Sequence, residues 1–170
     1  MNQSINRLNE LSADNAEAEF LKCCGSTSWS QAMTAIRPFK SIDDLLAKAD
    51  SVWWSLDQED WLEAFRSHPK IGEKKAAAVQ SEQAQSWSAQ EQSATSGAAT
   101  EVMRALAEGN REYEQRFGFI YIVCATGKSS EELLKILNAR LKNDVKIELR
   151  NAAEEQRKIT RLRLEKLVNP

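Results

Sequence analysis

The chain contains one histidine, His68, in the stretch RSHPKIGE at residues 66–73. Imidazole titrates near neutral pH, so a histidine held in a pocket can take up and return a proton during a reaction. His68 follows Trp61 and Phe65 at i, i+4 and i+7, a spacing that puts all three on one helix face and turns the imidazole inward. The plainer alternative is a histidine that ends a helix, where a partial positive charge is mildly favourable. A second candidate is Glu91, in SAQEQ at 88–92. Ser88 with Glu91 three residues later makes a capping box, in which the carboxylate serves only a backbone N–H. The functional alternative has Glu91 reaching His68 or a ligand, and spacing leaves both open.

The third candidate is an arginine in the last helix. At about 100° per residue from Asp144 onward, Val145, Leu149, Ala152, Ile159 and Leu167 share a face, with Gln156 and Arg163 in the middle of it. Arg161 falls on the opposite, charged face with Arg150 and Glu154. A charge on a core-facing stripe is costly unless paired. Arg163 is therefore either a buried ion-pair partner or a forked clamp for an anionic ligand such as a carboxylate. Cys124 and His68 could form a thiol–imidazole pair, but Cys124 sits in an apolar run with no cation before Lys128, where burial leaves a thiol inert. Trp29, Trp53, Trp54 and Trp61 occur at helical packing spacing and read as core.

The elements that must position these groups are helical. Capping residues open SADNAEAEFLKCCG, which ends at Gly25; SWSQAMTAIRPF stops before Pro38; SIDDLLAKADSVWWSL starts at Ser41 and DQEDWLEAFRSH at Asp57. Val102, Leu106, Gly109, Tyr113 and Phe117 form a stripe ending at Gly118, Ser129 and Glu132 make a capping box, and a long helix runs from Asp144. FIYIVCATG (119–127) reads locally as a strand, but it has no sheet to join. It is expected to be a buried extended connector whose backbone polar groups need other partners. Residues 71–100, rich in Ala, Gln and Ser, read as a surface excursion. The expected architecture is all-α: a single domain over 1–170, a bundle of about seven to nine helices with the connector near 119–126.

Composition narrows the classes. Of 170 residues, 42% are hydrophobic and 28% charged, with a net charge of −2 and the two signs interleaved, which argues against nucleic acid as partner. No apolar run can span a bilayer. The polar N-terminus is unlike a signal peptide and LVNP is unlike a peroxisomal tripeptide, so the expected location is cytoplasmic. Three cysteines make no disulfide framework, and with neither CxxC nor HExxH and a single histidine a metal site is not expected.

Several stretches in order resemble one family, the 2-oxo-4-hydroxy-4-carboxy-5-ureidoimidazoline (OHCU) decarboxylases of urate degradation. IRPFKSIDDL resembles the family's RPF segment, RSHPKIGE its His-Pro signature, and SAQEQS its Ser-x-x-Glu-Gln motif. EYEQRFGFIYIVCATGKS resembles the Arg-Phe-Gly-Phe segment and KITRLRLEKLV the terminal helix. The departures are SATSGAAT after Gln92, where an Ala-Gly pair is common, and Ile120 in place of a proline. The resemblance implies His68 and Glu91 as catalytic groups. It implies substrate contacts from Pro69, Ser88, Ala89, Gln90, Gln92, the backbone of Tyr121, Ile122, Val123, Cys124 and Ala125, and Arg163. It further implies cofactor-independent decarboxylation of an anionic ureidoimidazoline to (S)-allantoin in a homodimer, with no cofactor and no metal. The competing reading is a non-enzymatic helical interaction module with a structural histidine.

Overall fold

The computed structural model describes residues 3–71, 87 and 100–170. Among these the secondary structure is helical without a strand: α1 (Gln3–Glu10), α2 (Ala13–Cys23), α3 (Thr27–Ala35), α4 (Ile42–Ser55), α5 (Gln58–Arg66), α6 (Thr100–Phe117), α7 (Ser130–Arg140) and α8 (Val145–Val168). The all-α expectation is borne out. The proposed excursion over 71–100 falls almost wholly outside the described residues.

Helix starts follow side-chain chemistry. The hydroxyls of Ser12, Ser26, Ser41 and Ser129 each accept a backbone N–H in the first turn of α2, α3, α4 and α7. Asp57 and Asp144 do the same for α5 and α8. At Ser129 the capping box is complete, with Glu132 returning a bond to the Ser129 N–H at 2.8 Å. Gly118, at φ 81°, ends α6 in the left-handed conformation that glycine adopts without strain. The end of α2 differs from expectation: the capping residue is Cys24 in extended conformation, one position before Gly25.

The chain forms two compact units, Met1–Ala64 with Arg157–Pro170, and Phe65–Gln156. The first has a core of Ile5, Leu8, Phe20, Trp29, Met33, Phe39, Leu45 and Trp53. Phe20 meets Trp29 and Phe39 edge-on, at 5.9 and 6.0 Å between ring centres. Here the RPF stretch is structural. The Arg37 guanidinium donates to the Leu8, Asn9 and Leu11 carbonyls at the end of α1, and Asn9 clamps the Phe39 backbone with two bonds of 2.8 and 2.9 Å. The second unit has a core of Phe65, Leu106, Tyr113, Phe117, Phe119, Tyr121, Leu133 and Leu137. Among the described residues no helix is long and apolar enough to cross a membrane.

Helix α8 corrects part of the expected stripe. Val145 is 51% exposed, while Glu148, an acid, is fully buried. In the second unit the buried positions of α8 are Glu148, Ala152, Ala153 and Gln156; in the first they are Ile159, Thr160, Arg163, Leu164 and Val168. Apolarity alone mislocates the N-terminal end because Glu148 is drawn inside by polar partners from other helices.

Candidate functional site

His68 lies just past the end of α5, half-buried, with its backbone N–H on the Phe65 carbonyl at 3.2 Å. Its ring Nε2 lies 2.6 Å from Oε1 of Gln156, a fully buried residue of α8. The chain beyond Pro69 is pinned to α6, by Lys70 to Glu114 at 2.7 Å and by the Asn110 amide donating to the Ile71 carbonyl at 2.8 Å. The backbone on both sides of the imidazole is therefore fixed within this unit.

The connector after Phe117 contains no helix or strand, and residues 121–125 are all buried. Apart from a turn in which the Lys128 N–H donates to the Ala125 carbonyl at 3.0 Å, its backbone bonds run to side chains, as a buried extended segment outside any sheet requires. Arg140 donates to the Ile122 carbonyl at 2.6 Å, Lys128 Nζ to the Cys124 carbonyl at 2.8 Å, and the Cys124 N–H donates to Glu155 at 3.3 Å. Among the described residues, the N–H groups of Tyr121, Ile122, Val123 and Ala125 meet no acceptor. Glu155 and Gln156 are neighbours in α8. One holds the connector and the other meets His68, so a single helix turn ties together two of the sequence candidates.

Behind the connector lies a buried polar cluster that sequence reasoning did not identify. Arg140 Nε is 2.9 Å from Glu148 Oε2, and its guanidinium lies 5.6 and 5.0 Å from the ring centres of Tyr113 and Tyr121. Glu148 also accepts from the Tyr113 hydroxyl, from Asn143 at 2.8 Å and from Asn151 at 3.0 Å. Burial alone would raise the Glu148 carboxyl. The donors Asn143 and Tyr113 and the Arg140 charge outweigh it and hold that carboxyl below its ordinary range. Burial pushes both tyrosine hydroxyls well above theirs, so they stay protonated. The signal that could have found this cluster was Arg140 at the end of a helix, on the same face as the buried Leu133 and Leu137.

The remaining candidates separate. Arg163 is in the other unit, 2% exposed, with a long 3.5 Å bond to the Lys22 carbonyl and its charge felt by Cys23 and Cys24. Arg161 is partly exposed and pairs with Asp50 at 2.8 Å, which Arg157 shares at 3.2 Å. All three thiols are free and buried. Burial pushes Cys24 up to about 12 and Cys23 also upward, away from the reactive thiolate. Ser88, Ala89, Gln90, Glu91 and Gln92 lie outside the described residues.

Comparison with known proteins finds relatives over most of the chain. The chain is 36% identical over 152 residues to the Arabidopsis thaliana uric acid degradation bifunctional protein TTL, covering 89% of this chain and 47% of that protein. It therefore spans about half the length of that relative, and 28% of the Bacillus subtilis bifunctional protein PucL, to which it is 30% identical. An OHCU decarboxylase of Haloferax volcanii is 26% identical and is covered over 92% of its length. Among solved structures, an OHCU decarboxylase crystallised in the presence of (S)-allantoin superposes with a TM-score of 0.78 at 34% identity, over 89% of this chain and 98% of that one. The family model for OHCU decarboxylase matches residues 9–165, and the chain belongs to that family.

Proposed function

We propose that this chain is a single OHCU decarboxylase-like domain that converts 2-oxo-4-hydroxy-4-carboxy-5-ureidoimidazoline to (S)-allantoin, with His68 as the acid/base group. The observation that carries the reading is that, within the Phe65–Gln156 unit, neighbouring residues of α8 meet the imidazole and the buried connector that offers N–H donors. Loss of carbon dioxide breaks a carbon–carbon bond and leaves its electron pair on the ring carbon, delocalised onto the neighbouring carbonyl. The protein must orient the carboxylate, stabilise the developing oxyanion and protonate one face. Fixed orientation and preorganised amides within 121–125, the Cys124 N–H on Glu155 excepted, serve the first two needs. His68 serves the third, returning the proton to carbon. Glu91 is assigned to orient His68 or bond the ligand, with Ser88 to Gln92 and Pro69 beside the substrate. Arg163 is assigned to an anionic group of the substrate, on its sequence register and its burial. The substrate's own carbonyl accepts the electrons, so the reading requires no organic electron sink and no metal. It also takes a homodimer as the working assembly and the cytoplasm as its location.

The test generates the unstable substrate from urate with urate oxidase and hydroxyisourate hydrolase and follows circular dichroism for chiral allantoin. A fast signal of one hand is expected. His68→Ala and His68→Asn should lower it on the order of a hundred- to ten-thousand-fold while keeping the helical spectrum. No acceleration over the racemic background, or full activity in both variants, overturns the assignment.

A further inference from the structure

We propose that Gln156 is a positioning residue that locks the neutral His68 ring as its Nε2–H tautomer, leaving Nδ1 as the nitrogen that exchanges the proton. This deepens the reading above and rests on His68 being the proton carrier. An amide oxygen only accepts, so the ring nitrogen 2.6 Å from Gln156 Oε1 must carry the hydrogen. Gln156 is fully buried beside Ala152 and Ala153, both fully buried too, so its side chain has little room to turn away. The chain on either side of His68 is anchored by the Phe65 carbonyl and by Asn110, which keeps the imidazole's point of attachment close to Gln156. A glutamine suits this role where a glutamate would not. It selects the tautomer as a neutral acceptor, whereas a carboxylate would also favour the charged imidazolium and make it a weaker acid, less ready to give its proton to carbon.

The lone histidine makes the test direct, because every imidazole signal in an unfused chain comes from His68. Nitrogen-15 spectra of the intact protein, recorded above the pH at which the ring loses its proton, assign the two nitrogens by their couplings to the ring C–H protons. The expected wild-type result is a single tautomer with the hydrogen on Nε2. In Gln156→Leu the two nitrogens should show shifts averaged between tautomers, and kcat for the coupled urate assay should fall on the order of 100-fold with KM little changed. Gln156→Glu keeps an acceptor, so it should keep the Nε2–H tautomer even if the leucine variant does not fold. A wild-type ring with the hydrogen on Nδ1, a tautomer mixture in the wild type or in Gln156→Glu, or a Gln156→Leu spectrum identical to wild type overturns the proposal. These spectra stand whether or not the chain turns over urate-derived substrate, so a failed tautomer assignment and a failed enzyme assignment are separable.

Discussion

Replacing Arg140 by leucine tests whether the buried cluster holds the connector in place. The variant would leave Glu148, whose side chain has no exposure, without its cationic partner, and would strip the Ile122 carbonyl of the guanidinium 2.6 Å away. Removing one member of a buried ion pair costs about 3–5 kcal/mol. The carbonyl loss falls within that range because the same guanidinium serves both. In a chain of 170 residues each kcal/mol moves the melting temperature by about 2–4 °C, so Arg140→Leu should melt roughly 6–20 °C below wild type. The assay is a thermal melt followed by helical circular dichroism, with Glu148→Leu and the double variant run alongside. Removing both partners relieves the stranded charge, so the double variant should be less destabilised than the sum of the singles by about 0.5–3 kcal/mol. An Arg140→Leu melt within about 2 °C of wild type, or strict additivity, would refute the argument that this pair anchors the connector.

Four other outcomes follow from described contacts. The Glu148 carboxyl is held below its ordinary value of 4.5, so its contribution to stability is complete above that pH and is lost as pH falls through the lower folded value. Glu148→Gln should narrow its stability gap to wild type in acid melts below about pH 4, and a gap that widens there contradicts the sign. Arg161→Ala should cost no more than about 1 kcal/mol, because its pair with Asp50 is partly exposed and shared. Arg163→Ala, at a 2% exposed position, should lower both melting temperature and turnover, and the reverse order of the two variants in a melt rejects the burial argument. Gly109→Ala should destabilise by about 1–3 kcal/mol despite alanine's better helix propensity. A Cβ there would stand 2.6 Å from Cδ2 of the fully buried Leu137, and a higher melting temperature would show that Leu137 can yield.

Local chemistry was the most legible part of the sequence. Serines at 12, 41 and 129 open helices where their hydroxyls can reach a first-turn N–H, a preference that acts over three residues, whereas the Ser26 cap lies two residues before the stretch SWSQAMTAIRPF read as a helix. The connector was legible as an exception: a strand-like run with no sheet demanded outside partners, and Arg140, Lys128 and Glu155 supply them. Which residues would do so was not legible, because the choice depends on tertiary proximity. Glu148 shows the limit best. Its burial depends on Tyr113, 35 residues away, and on Arg140, and no periodicity count contains either. Gln156 was visible in the middle of a stripe, but its partner is 88 residues distant. Of the candidate site, His68 and the connector lie in one unit with α8 residues between them, and the 88–92 motif lies outside the described residues.

The adjacency of Glu155 and Gln156 turns α8 into a protractor. Successive residues of a helix point about 100° apart, an angle set by backbone hydrogen bonds and indifferent to temperature or ligand. The imidazole and the connector are each gauged from that one fixed corner. If the helix drifts or breathes as a body, both follow it, and the error in the distance between them stays smaller than the error in either position. Tolerance is therefore tightest between His68 and the Cys124 amide, and a one-residue insertion ahead of Glu155 in α8 would miscalibrate both while leaving the helix itself intact.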